Sequence, residues 1–152
     1  TGAAQAPPGS LCVDITNKVV YVNVGPKASP ISAQGGMPVV RVEAKTADYT
    51  VTAADNGKVF TNRGAAGAVT FTLPAAASSA GMRVRFFVVA GQNVIVAGTA
   101  GEVVAFNNAA ATSVAFQTAA ELIGGGIEAV CDGTDWLLFV SLGAETQTPT
   151  IA

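Results

Sequence analysis

The segment 46–73 constrains the fold of this chain more than any other. It reads TADYTVTAADNGKVFTNRGAAGAVTFTL, so short stretches of alternating apolar and polar residues are separated by turn signals such as Asp55-Asn56-Gly57. Alternation with a period of two residues is typical of half-buried strands, and Asn-Gly pairs favour tight turns. The segment CDGTDWLLFV at 131–140 has the same character. Together the two segments predict an all-β fold.

Strand-like stretches recur along 39–142 at a spacing of about 8–12 residues, which favours a sandwich or barrel. They include 40–45, 83–89 and 136–142. We therefore predict a compact antiparallel β-sandwich or barrel-like body over 39–142. The Pro-rich segment 1–9 is expected to be an extended tail, and 143–152 a frayed C-terminal tail.

Residues 10–24 predict a β-hairpin arm with a two-residue turn at Asn17-Lys18. In this register one face is entirely aliphatic, pairing Leu11 with Val24, Val13 with Val22 and Ile15 with Val20. A lone two-stranded ribbon is marginal in water. Six buried aliphatic side chains would contribute roughly 10 kcal/mol, at about 1.5–3 kcal/mol each. The face therefore needs a cover, which is either its own domain or another subunit, and these six residues are the candidate partner or oligomer interface.

The segment 25–38 predicts an extended linker between arm and body. It contains three prolines and three glycines. Proline removes a backbone donor and biases the residue before it toward extended geometry. An extended linker of this length would let the arm reach a neighbouring subunit.

Composition excludes several classes of protein. Only 12% of the residues are charged, the net charge is −2, and the eight Lys and Arg are scattered, so no nucleic-acid footprint is expected. The apolar runs are strand-sized and far short of the roughly 18 residues of a membrane helix. No charged segment precedes a hydrophobic one in the manner of a secretory signal. Low charge density is equally compatible with a surface that partners cover and with a neutral Ala-, Thr- and Gly-rich surface.

The chemistry of catalysis is sparse in this sequence. There is no histidine, the commonest general base at neutral pH. Asp48 with Asp55, and Asp132 with Asp135, are the carboxylate pairs that would hydrolyse a glycoside or hold calcium. Both pairs lie in turn-like segments, where Asp usually bonds backbone. We expect no enzyme activity, no cofactor and no metal.

A few side chains have both a structural and a functional interpretation. Cys12 and Cys131 are expected to be buried free thiols rather than a disulfide, and two Cys without His do not make a zinc site. Trp136 is expected in the core, whereas an exposed Trp would be a platform for sugar stacking. Arg83 and Arg85 share a strand face, where they would be solvated, pair across strands or form an inter-subunit salt bridge.

Two segments resemble proteins of tailed-bacteriophage particles. The first, SLCVDITNKVVYVNVGPKASP at 10–30, is similar to a pattern that recurs in phage virion proteins. The second combines Asp55-Asn56-Gly57, Thr72-Leu73-Pro74 and the DGTDW of 132–136, and resembles a domain of head-decoration (cement) proteins, head fibres and tail-fibre or spike proteins. The resemblance implies a non-enzymatic structural virion protein, often a homotrimer.

The size of the chain distinguishes two functions within that resemblance. One small domain with one arm suits a protein of the outer capsid surface that stabilises the capsid by bridging major-capsid subunits. Its partners would be itself, as a homotrimer, and the major capsid protein, with assembly in the host cytoplasm and no nucleic acid or membrane involved. The alternative is a receptor- or glycan-binding module of a tail fibre or spike.

Overall fold

A computed structural model describes residues 11–14, 19–23, 32–35, 40–116, 122–143 and 148–152, the first three ranges by their backbone pairing. The chain divides into two compact units, 1–39 and 40–152. No helix in the described ranges is long and apolar enough to cross a membrane.

The N-terminal unit contains a three-stranded antiparallel sheet in the order β1-β2-β3. Its strands are β1 (Leu11–Asp14), β2 (Val19–Asn23) and β3 (Ser32–Gly35). β3 pairs with the edge of β2 that β1 leaves open, so the linker prediction is wrong for 32–35. The SAQG sequence of β3 lacks apolar alternation, which is why sequence inspection did not reveal it.

The pairing of β1 with β2 differs by two residues from the predicted register. Val13 lies opposite Val20, and Leu11 opposite Val22. Strand alternation has a period of two, so this shift still pairs Leu11 and Val13 with valines. The predicted turn and two of the six interface residues, Ile15 and Val24, lie outside the described residues.

The body, 40–152, consists of two packed β-sheets, which confirms the predicted β-sandwich. The seven-stranded sheet contains β4 (Val42–Ala44), β6 (Val59–Thr61), β8 (Arg83–Phe87), β10 (Val103–Ala105), β11 (Asn108–Ala111), β13 (Gly126–Cys131) and β14 (Trp136–Ser141). The five-stranded sheet contains β5 (Tyr49–Thr50), β7 (Val69–Thr72), β9 (Val94–Ala97), β12 (Ser113–Phe116) and β15 (Pro149–Ile151). Short 3₁₀ turns occupy Ala53–Asp55 and Ala76–Ser78.

The chain winds between the two sheets. From β4 to β9 successive strands alternate between the two sheets, and the strands that follow one another within each sheet pair in parallel. The expectation of purely antiparallel pairing is therefore wrong for β4–β6–β8, for β5–β7–β9 and for β10–β14. The remaining pairs of the body are antiparallel, among them β15 with β12, so the prediction of a frayed tail is wrong for 149–151.

Aromatic rings fill the space between the sheets. Phe60, Phe71 and Phe86 come from three consecutive strands, β6, β7 and β8, and their ring centroids lie 4.7–5.9 Å apart. Aromatic pairs at such distances stabilise by about 0.5–1.5 kcal/mol beyond burial. Trp136 is fully buried and its Nε1 donates to the Pro74 carbonyl at 2.8 Å. Trp136 is thus a core residue, as predicted.

Asn62 fixes the crossover from β8 to β9. Its fully buried amide donates to the carbonyls of Ala90 and Gln92 at 3.0 and 2.8 Å. Its Oδ1 accepts the N–H groups of Val89 and Ala90 at 2.8 and 2.9 Å. With four hydrogen bonds the side chain is fully satisfied, so its burial carries no desolvation penalty for an unmade bond.

A strained turn joins β10 to β11. Phe106 and Asn107 have φ of 46° and 64°, and Ala105 lies opposite Asn108. Positive φ at both central residues is the pattern of a type I′ hairpin turn, which usually carries Asn or Gly. Phe106 is also 49% exposed, so burial does little to offset the strain in its backbone.

Candidate functional site

The outward surface of the seven-stranded sheet is the most apolar exposed face of the described body. Val42, Phe87 and Phe139 are 67%, 44% and 63% exposed on it. Strand pairing aligns one transverse row in the order Val42, Val59, Arg85, Glu128 and Phe139. We call this surface the Phe139 face; besides that row and Phe87 it contains Arg83, Val104, Gly126, Val130, Leu137 and Ser141.

A groove of about 420 Å³ runs along this face beside Phe139. Gly126 forms part of its floor, and Phe87 flanks it. A Cβ atom at Gly126 would lie 3.2 Å from the Phe86 carbonyl oxygen and 3.3 Å from Cδ2 of Phe87. Glycine at 126 therefore leaves room for the Phe87 ring and keeps the groove open.

Two arginines share one carboxylate at the centre of the face. Arg83 Nη2 lies 2.6 Å from Glu128 Oε1, and Arg85 Nε lies 2.7 Å from Glu128 Oε2. The arginine side chains are 52% and 51% exposed, and Glu128 is 26% exposed. Of the alternatives left open for these arginines, the structure shows pairing across strands with Glu128. Because two guanidinium groups meet one carboxylate, the cluster carries a formal surplus of one positive charge.

The outward surface of the five-stranded sheet is different in character. One transverse row at the end of the sheet pairs Thr50, Thr72, Ala97 and Ser113. The five strands of this sheet carry no charged side chain. Ile95 is the largest aliphatic residue there and is only partly exposed. A flat surface of small residues offers little area per residue for burial, so the Phe139 face is the stronger candidate for docking.

Asp55 is locked into a structural network near the β4 edge. Its 2% exposed carboxylate accepts hydrogen bonds from Thr52 N and Oγ1, from Tyr49 Oη and from Lys58 Nζ at 2.7–3.1 Å. Burial by itself raises the pKa of Asp55, but the bonds from Lys58, Thr52 and Tyr49 outweigh it and lower the pKa to about 2. This carboxylate is therefore held ionised as a cap for the turn at Ala53–Asp55.

Asp132 and Asp48 also accept hydrogen bonds from backbone N–H groups. Asp132 Oδ1 accepts the N–H groups of Thr134 and Asp135 at 2.8 Å each, and these bonds lower the pKa of Asp132. Asp48 Oδ1 accepts Thr70 N–H at 2.7 Å, across to β7. The prediction that these carboxylates serve turns is confirmed for Asp55 and Asp132, while Asp48 ties β7 to the segment before β5. Within the described ranges no group of three or more Asp, Glu, Cys or His is placed to hold a metal.

Cys131 is a buried free thiol, as predicted. Its Sγ lies 3.3 Å from the Ala76 carbonyl, to which it donates, and burial raises its pKa. A raised pKa and burial both lower the reactivity of a thiol. The side chain of Cys12 lies outside the description.

The aliphatic interface predicted in the arm is described only by its backbone. Leu11, Val13, Val20 and Val22 lie on paired strands. Sequence reasoning missed the Phe139 face as a whole, although it placed Arg83 and Arg85 together. The signal available was the strict alternation of Arg83–Phe87, which places Phe87 on the same side of the strand as the two arginines.

Comparison with known proteins gives no indication of the function, which is therefore argued from the residues of this chain. No protein-family model matches the chain, and no curated protein matches it.

Proposed function

We propose that this chain is a structural, non-enzymatic protein of a bacteriophage particle that decorates the capsid and stabilises it by bridging major-capsid subunits. The observation that carries the proposal is the Phe139 face, where Val42, Phe87 and Phe139 are exposed around a charged cluster and beside a groove of about 420 Å³. Exposed apolar side chains grouped with polar ones mark interaction sites on protein surfaces. The phage particle is proposed because 10–30, and the motifs at 55–57, 72–74 and 132–136, resemble phage virion proteins.

The chemistry of the described body supports a binding role rather than turnover. Asp48, Asp55 and Asp132 each have backbone or lysine partners that hold them in place. A general acid or base needs a pKa near the working pH. The pKa values of Asp55 and Asp132 are instead lowered, which keeps both carboxylates ionised at neutral pH.

The aliphatic face of the arm remains the predicted site of trimer formation or shell docking. Replacing both Val13 and Val22 with Asp would place charge on that face without touching the body. We expect the double variant to lose trimers or capsid binding while the body stays folded. Light scattering measures the mass, and sedimentation with capsids that lack this protein measures binding. Intact trimers with normal capsid occupancy would contradict the role of the arm.

Capsid stabilisation is tested by adding the purified protein to shells that lack it and measuring the force, temperature or pressure at which they release DNA. We expect release to require harsher conditions with the protein bound. The glycan-binding alternative predicts saccharide binding and no affinity for shells. Trp136, the residue that a sugar-binding platform would have used, is fully buried.

A further inference from the structure

We propose that the Phe139 face docks a protein surface that presents a carboxylate within an apolar surround, and that this surface lies on the capsid shell. The inference deepens the proposed function and rests on it, since it names the docking site and the chemistry of its partner.

The size of the face is sufficient for specific docking. Strands lie about 4.8 Å apart, so seven strands span about 30 Å, and three rows of outward residues extend about 15 Å along them. The projected area is then about 450 Å², and covering it would bury about 900–1,000 Å² from both partners together. That is near the lower limit for a specific interface, and repeated copies on a shell raise the effective affinity further.

The charge cluster defines the chemistry of the partner. Among the described residues, Glu128 is the only carboxylate within salt-bridge distance of Arg83 or Arg85. Each guanidinium has five N–H donors, and about half of each arginine side chain faces solvent. An entirely apolar cover would bury these donors without partners, at a cost of about 1–3 kcal/mol for each unsatisfied group. A carboxylate from the partner satisfies them and balances the surplus charge, while Phe139 and Val42 supply the apolar surround.

The same cluster argues against symmetric self-pairing of this face. A two-fold contact places the same patch of both copies together. The two clusters, each with one surplus positive charge, would then be buried near each other, where the repulsion is only weakly screened. A different surface that carries negative charge fits the cluster better.

The test uses shells that lack this protein and the full chain, and compares two matched substitutions. Phe139→Asp alters the proposed docking face, and Thr72→Asp places the same charge on an exposed residue of the five-stranded sheet. We expect Phe139→Asp to weaken shell binding at least thirtyfold and Thr72→Asp to leave it within about twofold, with unchanged circular dichroism for both. Equal effects of the two substitutions would overturn the proposal.

Two further substitutions test whether the partner presents a carboxylate to the arginines. Arg83→Met keeps the aliphatic stem but removes the charge, and should weaken binding about tenfold at low salt. Glu128→Gln releases both arginines toward the partner, and should tighten binding severalfold at low salt. If Glu128→Gln weakens shell binding as much as Arg83→Met does, the proposal of an acidic partner is overturned. That result would mean that the cluster only maintains the fold of the face.

The remaining outcomes separate the docking site from the function. If the wild-type chain binds no shell, the proposed function fails and the shell is excluded as the occupant. If wild-type chain binds and Phe139→Asp binds equally well, only the docking site fails. If Phe139→Asp converts a wild-type oligomer to monomer in light scattering, the occupant is a second copy and the proposal is overturned.

Discussion

Asp55 provides the sharpest test of how the body is held together. Its carboxylate is 2% exposed and joins the turn at Ala53–Asp55 to Lys58 and Tyr49. Asp55→Asn is nearly isosteric, keeps one oxygen for the Thr52 N–H and removes the charge that Lys58 balances. Removing one partner of a buried ion pair typically destabilises by about 3–5 kcal/mol. Because Lys58 is 19% exposed and water can solvate it, we expect about 2–4 kcal/mol here.

The lowered pKa of Asp55 predicts in which direction the free energy of unfolding changes with pH. The folded-state pKa of Asp55 is lowered from 3.8 to about 2. At about 1.36 kcal/mol per pKa unit, this difference contributes about 2.4 kcal/mol to the free energy of unfolding. A lowered pKa stabilises the folded state above the unfolded-state value and ceases to do so as the pH falls through the folded-state value. The contribution is therefore complete at pH 7, and most of it is lost between about pH 5 and pH 2.5.

The assay is urea unfolding followed by the fluorescence of Trp136, the single Trp of the chain, at pH 7 and at pH 2.5. The difference in unfolding free energy between wild type and Asp55→Asn should shrink by about 1.5–2 kcal/mol at the lower pH. Asp135→Asn is the control, since the Asp135 carboxylate accepts no hydrogen bond within the described ranges. A difference that stays the same at both pH values would refute the reasoning, because it would show that the charge of Asp55 is not what the network stabilises.

Three further substitutions test separate features of the body. Asn62→Ala removes four hydrogen bonds to the loop 89–92 and should destabilise by about 3–5 kcal/mol in urea unfolding, whereas a loss below 1 kcal/mol would mean that water replaces the amide. Trp136→Phe removes the bond to Pro74 and leaves a cavity, so we expect a loss of about 2–3 kcal/mol by circular dichroism, and an unchanged midpoint would contradict the buried position. Phe106→Asn relieves a positive φ and should raise the melting temperature by a few degrees, equivalent to about 1 kcal/mol; a lowered value would show that the Phe106 ring packs in a stabilising contact.

Much of the secondary structure of the body could be predicted, because local alternation reports it directly. The strands expected at 83–89 and 136–142 are close to β8 and β14. The parallel winding could not be predicted, since alternation shows which residues face the core and not which strand lies alongside or in which direction. β15 was missed for a related reason: its three residues are strand-like only because β12 offers them an open edge.

The site illustrates the same limit. Arg83 and Arg85 were placed on one face by their spacing, but their partner Glu128 is 43 residues from Arg85 in sequence, so only the pairing of β8 with β13 reveals it. The exposure of Phe139 could not be predicted either, because Phe139 lies within the apolar run WLLFV, which is typical of a buried strand. The Phe139 face is therefore formed by the order of the strands in the sheet, which the sequence does not show.

The position of β13 and β14 has a consequence for how the protein is made. This hairpin inserts between β8 and β10, so the seven-stranded sheet is interrupted until residues 126–141 are present. A ribosome-bound chain lacking them would have β8 and β10 with unpaired edges and no Trp136 in its core. Long-range pairing of this kind slows folding, and open strand edges invite aggregation. The body is therefore expected to complete its fold only after residues 126–141 have been synthesised, and truncation before 126 should give insoluble product.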